Sequence, residues 1–366
     1  MHITFPHMGT LHLTLSTLFQ QLGLEVIPPP LTTKETMVLG TQHAPEFACM
    51  PLKLMLGNFI QAIAQGADTI VMCGGCGPCR LGYYAQVQQE LLKDLGYDIQ
   101  MIVLEADIFE LIPRIRQLAP GKSWQEIYRA TQVAWEKMKA IDEVERLSHR
   151  LRPRALQSQE VTRIYEHSLG KFSNAHTLET INSTREQAIR DLSGIQVTNR
   201  NDLLKVGIVG ELFVALEPMV NQELEKHLGD MGVQVERTIY ITDWVKSHLA
   251  WNREARARRK AVAASARPYL NHWVGGHGLE TIGRTIQLAG EGYDGVIQLF
   301  PFTCMPEIVA KSILSQVSRD YEIPVMTLVL DEHAGVEGLM TRIEAFIDLI
   351  TRRRNREGFY EHLSRG

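Results

Sequence analysis

Apolar residues in the first third of the chain fall into two alternating patterns. Short, nearly continuous runs predict buried strands, and longer stretches with apolar residues every three or four positions predict helices. The predicted strands lie within residues 1–5, 24–30, 68–72 and 97–105, and the predicted helices within residues 12–23, 51–66 and 81–96. Strands separated by helices of this length indicate a parallel α/β sheet with right-handed crossovers.

The middle of the chain has a different pattern, because helical spacing continues there without intervening strand runs. From Ile127 to Leu151 apolar residues recur every three or four positions, and Pro153 then breaks the helix. A second, charged helical run follows. We interpret residues 122–200 as a helical connector rather than a coiled coil, because a heptad repeat is not sustained.

The alternation returns in the last part of the chain. Strands are predicted within residues 203–210, 233–240, 294–300 and 324–330, and helices near Pro218 and within residues 244–267, 278–292, 305–321 and 341–354. The sequence therefore predicts two doubly wound parallel-sheet domains of the Rossmann or flavodoxin-like class, with a helical middle segment. The expected boundaries are 1–121 for the N-terminal domain with its three-cysteine loop, 122–200 for the connector and 201–366 for the C-terminal domain.

Composition and charge narrow the functional classes. The chain has 366 residues, of which 45% are hydrophobic, and its formal net charge is −4. That balance is ordinary for a folded protein with sizeable cores, and it argues against nucleic acid as a partner. No stretch approaches about 18 consecutive apolar residues, so a membrane span is not expected. The cytoplasm is the expected compartment, where thiols stay reduced.

The five cysteines carry the candidate chemistry. Cys73, Cys76 and Cys79 lie in the loop CGGCGPCR, directly after a predicted strand and before a predicted helix. Cys49 and Cys304 each precede a predicted helix as well. A helix N-terminus carries about half a positive charge and favours thiolate over thiol.

Clustered cysteines in a reducing compartment indicate a metal centre rather than disulfides. The spacing C-x-x-C-x-x-C is one of the spacings seen for bacterial iron–sulfur clusters, although the usual fourth cysteine does not follow closely. Structural zinc usually shows paired knuckles, and this chain has one triple. An iron–sulfur cluster is therefore preferred, and zinc or unligated redox thiols remain alternatives. From spacing alone, the ligands would be the three cysteines of the loop.

Several segments resemble the 2-hydroxyacyl-CoA dehydratase D-component superfamily. The resemblance lies in GPCRLGYY, FPFTCMPE and TRIEAF together with the segment around Cys49, and it covers most of the chain outside the helical middle. It is strongest for a branch of stand-alone proteins associated with CoA-enzyme activases, which is related to double-cubane cluster proteins.

The resemblance implies two α/β domains that hold an iron–sulfur cluster, and it maps the ligands onto Cys49, Cys79 and Cys304. Cys76 is the candidate fourth ligand, and three ligands would leave one iron open for substrate. A double cubane would need six thiolates and the chain has five cysteines. A [4Fe–4S] cluster is therefore expected.

The resemblance also implies a partner and an anaerobic setting. An ATP-hydrolysing activase would deliver low-potential electrons, which the chain would pass to a substrate or partner that is difficult to reduce. Alternatives are a component of a 2-hydroxyacyl-CoA dehydratase acting on an acyl-CoA, and a zinc-stabilised structural or regulatory protein. The chain has no phosphate loop of its own, and a homodimer is plausible.

Three further residues are candidates for catalysis or substrate contact. Arg80 follows the cysteine loop, His277 lies between glycines before a helix, and Glu307 falls in the first turn of the helix after Cys304. Each also has an ordinary structural interpretation, namely a salt bridge, a structural histidine and an acidic residue suited to a helix dipole. Tyr83 and Tyr84 open the helix after the loop, where core packing is the favoured interpretation.

Overall fold

The structure, a computed structural model, describes residues 1–75, 78–105, 108–199, 202–248 and 253–364. The chain divides into two compact units. The first contains Met1–Leu151, Ala155–Val197 and Tyr240–Asn252, and the second contains Arg152–Arg154, Thr198–Ile239 and Arg253–Gly366. The helical middle segment is therefore grouped almost entirely with the first unit.

The first unit is built on a four-stranded parallel sheet with strand order β2-β1-β3-β4. Its elements are β1 (His2–Thr4), α1 (Leu11–Gln21), β2 (Glu25–Val26), α2 (Lys34–His43), α3 (Met50–Ala64), β3 (Thr69–Cys73), α4 (Leu81–Asp94), β4 (Gln100–Leu104) and α5 (Ile108–Leu118). The helices α6 (Trp124–Leu151), α7 (Ser158–Ser173) and α8 (Leu178–Ser193) follow. The register pairs Ile3 with Thr69 and Thr69 with Gln100.

The second unit repeats the strand order of the first. Its sheet runs β6-β5-β7-β8, and every pair is parallel. The remaining elements in chain order are β5 (Lys205–Gly210), α9 (Leu212–Leu216), α10 (Pro218–Asn221), α11 (Leu224–Asp230), β6 (Gln234–Arg237), α12 (Ile241–His248), α13 (Arg253–Ala266), α14 (Gly278–Gly290), β7 (Gly295–Pro301), α15 (Met305–Asp320), β8 (Val325–Leu330) and α16 (Val336–Ser364). Of these elements, α12 belongs to the first unit. The prediction of two Rossmann-like domains is confirmed.

Apolar side chains fill the cores that the sequence pattern predicts. Ile3, Val71 and Ile102 from three neighbouring strands pack with Phe19 of α1. The three helices of the middle segment form a core of their own, in which Phe172 and Val144 are fully buried. Among the described residues no helix is both long enough and apolar enough to cross a bilayer.

Two helices in the first unit pack at very short range through glycines. A Cβ atom at Gly40 of α2 would lie 1.7 Å from the Lys53 carbonyl oxygen, and one at Gly57 of α3 would lie 2.0 Å from the Thr36 carbonyl oxygen. Neither oxygen can move without shifting a helix backbone. This contact fixes the position of α3, the helix that begins next to Cys49.

We predict that Gly57→Ala destabilises the first unit by about 1–3 kcal/mol, because the added methyl group overpacks the α2–α3 contact. The measurement is thermal unfolding of the metal-free protein followed by circular dichroism. Gly170→Ala is the control, because a Cβ at Gly170 of α7 meets no atom within 4 Å. There the better helix propensity of alanine should raise stability by up to about 1 kcal/mol. Equal midpoints for Gly57→Ala and the unchanged protein would contradict the prediction.

Candidate functional site

The parallel topology places the cysteine-bearing turns of the first unit at one edge of its sheet. Helices that connect parallel strands run antiparallel to them, so they begin at the edge where the strands end. Cys49 is the N-cap residue of α3, which leads into β3, and Cys79 precedes α4, which follows β3. Both thiols therefore lie at the carboxyl edge of the first sheet, where α/β proteins bind their ligands.

Three residues, the N-cap residue of α4 and two residues within α4, hold the turn that carries Cys49. The three positions are spaced four apart, which puts them on one face of the helix. Each contacts the turn or the start of α3: the Arg80 guanidinium donates to the Phe47 carbonyl oxygen (3.0 Å), the Tyr84 hydroxyl contacts the Cys49 sulfur, and the Gln88 amide donates to the Leu52 carbonyl oxygen (3.2 Å). Arg80 thus has a role in fixing this turn.

Tyr84 combines the predicted packing role with a polar contact that the sequence did not indicate. Its side chain is 4% exposed, and Cys49 is 7% exposed. The ring is buried, while the hydroxyl hydrogen-bonds to the Cys49 sulfur. Tyr83, by contrast, is 68% exposed, so only one of the two adjacent tyrosines belongs to the core.

The three-cysteine loop follows the end of β3. Cys73 is exposed and Cys79 is half-buried, whereas the candidate fourth ligand Cys76 lies outside the described residues. Gly74 donates its amide to the Leu104 carbonyl oxygen (2.9 Å), and a Cβ there would lie 2.2 Å from the carboxyl group of Glu105. Glu105 therefore covers the start of the loop. Its position was not predicted as part of the site, although an acidic residue directly after a strand is a usable signal.

The second unit places Cys304 and His277 in equivalent topological positions. Cys304 is the N-cap residue of α15, which follows β7, and His277 is the N-cap residue of α14, which precedes β7. The two helix starts are adjacent, because a Cβ at Gly278 would lie 2.4 Å from the Pro306 carbonyl oxygen. Cys304 is buried and His277 half-buried. Both residues thus lie at the carboxyl edge of the second sheet.

Glu307, one turn after Cys304, is fully buried in a hydrogen-bonded network. The Gln298 amide donates to its carboxyl group (2.8 Å), and the Thr281 hydroxyl contacts both carboxyl oxygens (3.0 and 3.2 Å). Burial, together with the nearby carboxylates of Glu211 and Glu280, raises the pKa of Glu307 to about 8, and the two hydrogen bonds only partly oppose this. The group is therefore mostly a neutral acid at pH 7.

Glu211 is an acidic residue at the carboxyl edge of the second sheet, and it was not predicted from the sequence. It directly follows β5, and its carboxylate accepts the amides of Phe213 (3.0 Å) and Val214 (3.1 Å) at the start of α9. Burial raises its pKa despite these two bonds. The signal that could have found it is the same as for Glu105, an acidic residue placed directly after a buried strand.

The structure thus places two sets of candidate residues at the starts of helices, one set in each unit. The first set is Cys49, Cys79, Arg80 and Tyr84, and the second is His277, Cys304 and Glu307. Within either unit, the described residues include no group of three or more His, Cys, Asp and Glu side chains placed like metal ligands. A ligand set made of Cys49, Cys79 and Cys304 draws on both units and stays a prediction.

One comparison with known proteins gives a match. The family model described as "CoA enzyme activase uncharacterised domain (DUF2229)" matches residues 7–73, from the loop after β1 to the end of β3. The matched segment contains Cys49 and Cys73 and is consistent with a family related to the 2-hydroxyacyl-CoA dehydratases. No curated protein matches the chain.

We predict that Glu307 makes the stability of the second unit depend on pH. Its pKa is about 8 in the folded chain and about 4.5 ordinarily, so the folded chain binds the proton more tightly. Its contribution to stability is therefore full below about pH 4.5 and is lost as the pH rises through 8, by up to about 1.4 kcal/mol per pH unit.

The measurement is denaturant unfolding of the metal-free protein at several pH values between 5 and 9. In Glu307→Gln the free energy of unfolding should decline less with rising pH, because a neutral amide in the same place has no proton to lose. Glu291→Gln is the control, since that residue is exposed after α14. A decline as steep in Glu307→Gln as in the unchanged protein would contradict the assignment.

Proposed function

We propose that the chain is an iron–sulfur protein that receives low-potential electrons from an ATP-driven activase and passes them to a substrate or partner that is difficult to reduce. Cys49, Cys79 and Cys304 would hold a [4Fe–4S] cluster, with Cys76 as the candidate fourth ligand. The observation that carries the proposal is the position of these three described cysteines, Cys49, Cys79 and Cys304, at the starts of α3, α4 and α15.

The electrostatics of these positions suit anionic ligands. Each helix start carries about half a positive charge, which favours a thiolate over a thiol and also favours inorganic sulfide. Cys49 and Cys304 are buried, so neither thiolate would be well solvated by water. A helix N-terminus supplies stabilisation that water does not supply at such a position.

The spacing of the cysteines favours an iron–sulfur cluster over structural zinc, which usually shows paired knuckles where this chain has one triple. Thiols are the usual ligands of such clusters, and the side chains around them include a hydroxyl donor, Tyr84, and a carboxyl group kept mostly neutral, Glu307. A neutral Glu307 adds no negative charge beside Cys304. When bound, the cluster would supply one-electron chemistry, and the chain would shield it from water and hold its ligands.

The matched segment supports the proposed partner. Residues 7–73 match a domain named for CoA-enzyme activases, and this segment carries Cys49. Under the proposal, the chain is the electron acceptor of such an activase. The same match also supports a second candidate function, a component of a 2-hydroxyacyl-CoA dehydratase with an acyl-CoA substrate. Turnover of a 2-hydroxyacyl-CoA by the reduced protein with a second, related subunit would favour that function.

We expect anaerobically purified protein to be brown, to absorb near about 400 nm as such clusters do, and to contain iron and acid-labile sulfide in equal amounts. The measurements are metal analysis, sulfide analysis and electron paramagnetic resonance of the reduced protein. Zinc at one ion per chain with no iron would instead support a zinc-stabilised structural or regulatory protein.

Single cysteine variants distinguish a cluster held by Cys49, Cys79 and Cys304 from a cluster held by the three cysteines of the loop. Cys79→Ala and Cys304→Ala should each lower the iron content strongly, because each would remove a ligand. Cys73→Ala should lower it much less, since Cys73 is exposed and is not assigned as a ligand. The measurement that decides between the two ligand assignments is the iron content per chain after anaerobic purification. Strong losses in Cys73→Ala and Cys79→Ala with none in Cys304→Ala would favour a cluster held by the loop alone.

A further inference from the structure

The contact between Tyr84 and Cys49 is set up by two independent features of the first unit. Tyr84 is buried on α4, and the neighbouring contacts of Arg80 and Gln88 hold the Cys49 turn in place on either side of it. The hydroxyl therefore meets the sulfur as part of a three-point attachment. Core packing alone would be satisfied by a phenylalanine ring, so the hydroxyl needs a separate explanation.

The chemistry of the contact favours an anionic sulfur. A phenolic hydroxyl is a good donor, whereas a thiol is both a weak donor and a weak acceptor. Hydrogen bonds to an ionised group are shorter and roughly twice as strong as neutral ones, and they are stronger again away from water. With Cys49 only 7% exposed, water can supply little of this stabilisation.

We propose that Tyr84 is a positioning residue for the cluster ligand Cys49, whose sulfur accepts a hydrogen bond from the Tyr84 hydroxyl. This inference rests on the proposed function, because it assigns Cys49 to the cluster. A hydrogen bond to a ligand sulfur stabilises the more negative, reduced form of a cluster more than the oxidised form. Tyr84 therefore makes the cluster easier to reduce by the electron donor.

The test compares Tyr84→Phe with the unchanged protein by anaerobic redox titration, followed by electron paramagnetic resonance. Tyr84→Phe keeps the buried ring and removes only the hydroxyl. It should retain its iron and sulfide, and the equilibrium constant for one-electron reduction should fall by roughly threefold to tenfold, since one hydrogen bond to a charged group is lost. The potential would thus become more negative.

Two control variants separate this role from a merely structural one. Tyr83→Phe removes the same hydroxyl from the adjacent, exposed residue and should leave the potential unchanged. Gln88→Met removes another buried attachment of the Cys49 turn, to the Leu52 carbonyl oxygen, without touching the sulfur. It should lower thermal stability and leave the potential unchanged.

The results of this test separate failure of the inference about Tyr84 from failure of the proposed function. Absence of iron and sulfide from the unchanged protein would overturn the proposed function and this inference together. A fully loaded Tyr84→Phe protein with the potential of the unchanged protein would overturn this inference alone. An equal shift in Gln88→Met would also overturn it, because the effect would then come from a displaced turn rather than from the hydroxyl.

Discussion

The direction of the helices relative to the strands is the constraint on which the candidate site depends. A helix that links two parallel strands has to run back along the sheet, so it starts where the strands end. In each unit, the helix before the third strand and the helix after it both begin at that edge. Cys49 and Cys79 occupy these positions in the first unit, and His277 and Cys304 occupy them in the second. The fold thereby collects positive helix ends and sulfur atoms at the same places.

The side chains next to Cys304 and Cys49 limit the negative charge around these sulfurs or offer it a hydrogen bond. Glu307, in the turn after Cys304, is buried and mostly protonated, because burial and the charges of Glu211 and Glu280 disfavour its ionised form. Cys49 has the hydroxyl of Tyr84 beside it, which we propose donates to the sulfur. A buried anionic centre is costly unless it is paired or hydrogen-bonded, and both arrangements lower that cost.

The sequence was sufficient to predict the strands and most of the long helices, because alternating buried strands and amphipathic helices leave clear periodic patterns. It was less informative where tertiary contacts or caps determine whether a helix forms and where it begins. Helix α2 was not predicted, since its sequence is only weakly amphipathic and it packs on α3 through Gly40 and Gly57. The helical run after Pro153 proved to be two helices, because Thr177 forms a capping box that starts α8.

At the candidate site, too, local features were predictable from the sequence and tertiary contacts were not. The placement of cysteines before helices was visible in the sequence, because helix N-termini have local signals. The role of Arg80 in the Cys49 turn and the hydroxyl contact of Tyr84 were not visible, because both partners lie more than 30 residues away. Glu105 and Glu211 each directly follow a strand, which is a signal visible in the sequence, but the groups packed around them are visible only in the fold.

The most direct test of the central claim is diffraction from crystals grown without oxygen, with data collected at the iron absorption edge. The account predicts one compact anomalous peak from a four-iron cluster, within bonding distance of the sulfurs of Cys49, Cys79 and Cys304. A peak bound only by the cysteines of residues 73–79, or no iron peak in freshly prepared protein, would contradict it.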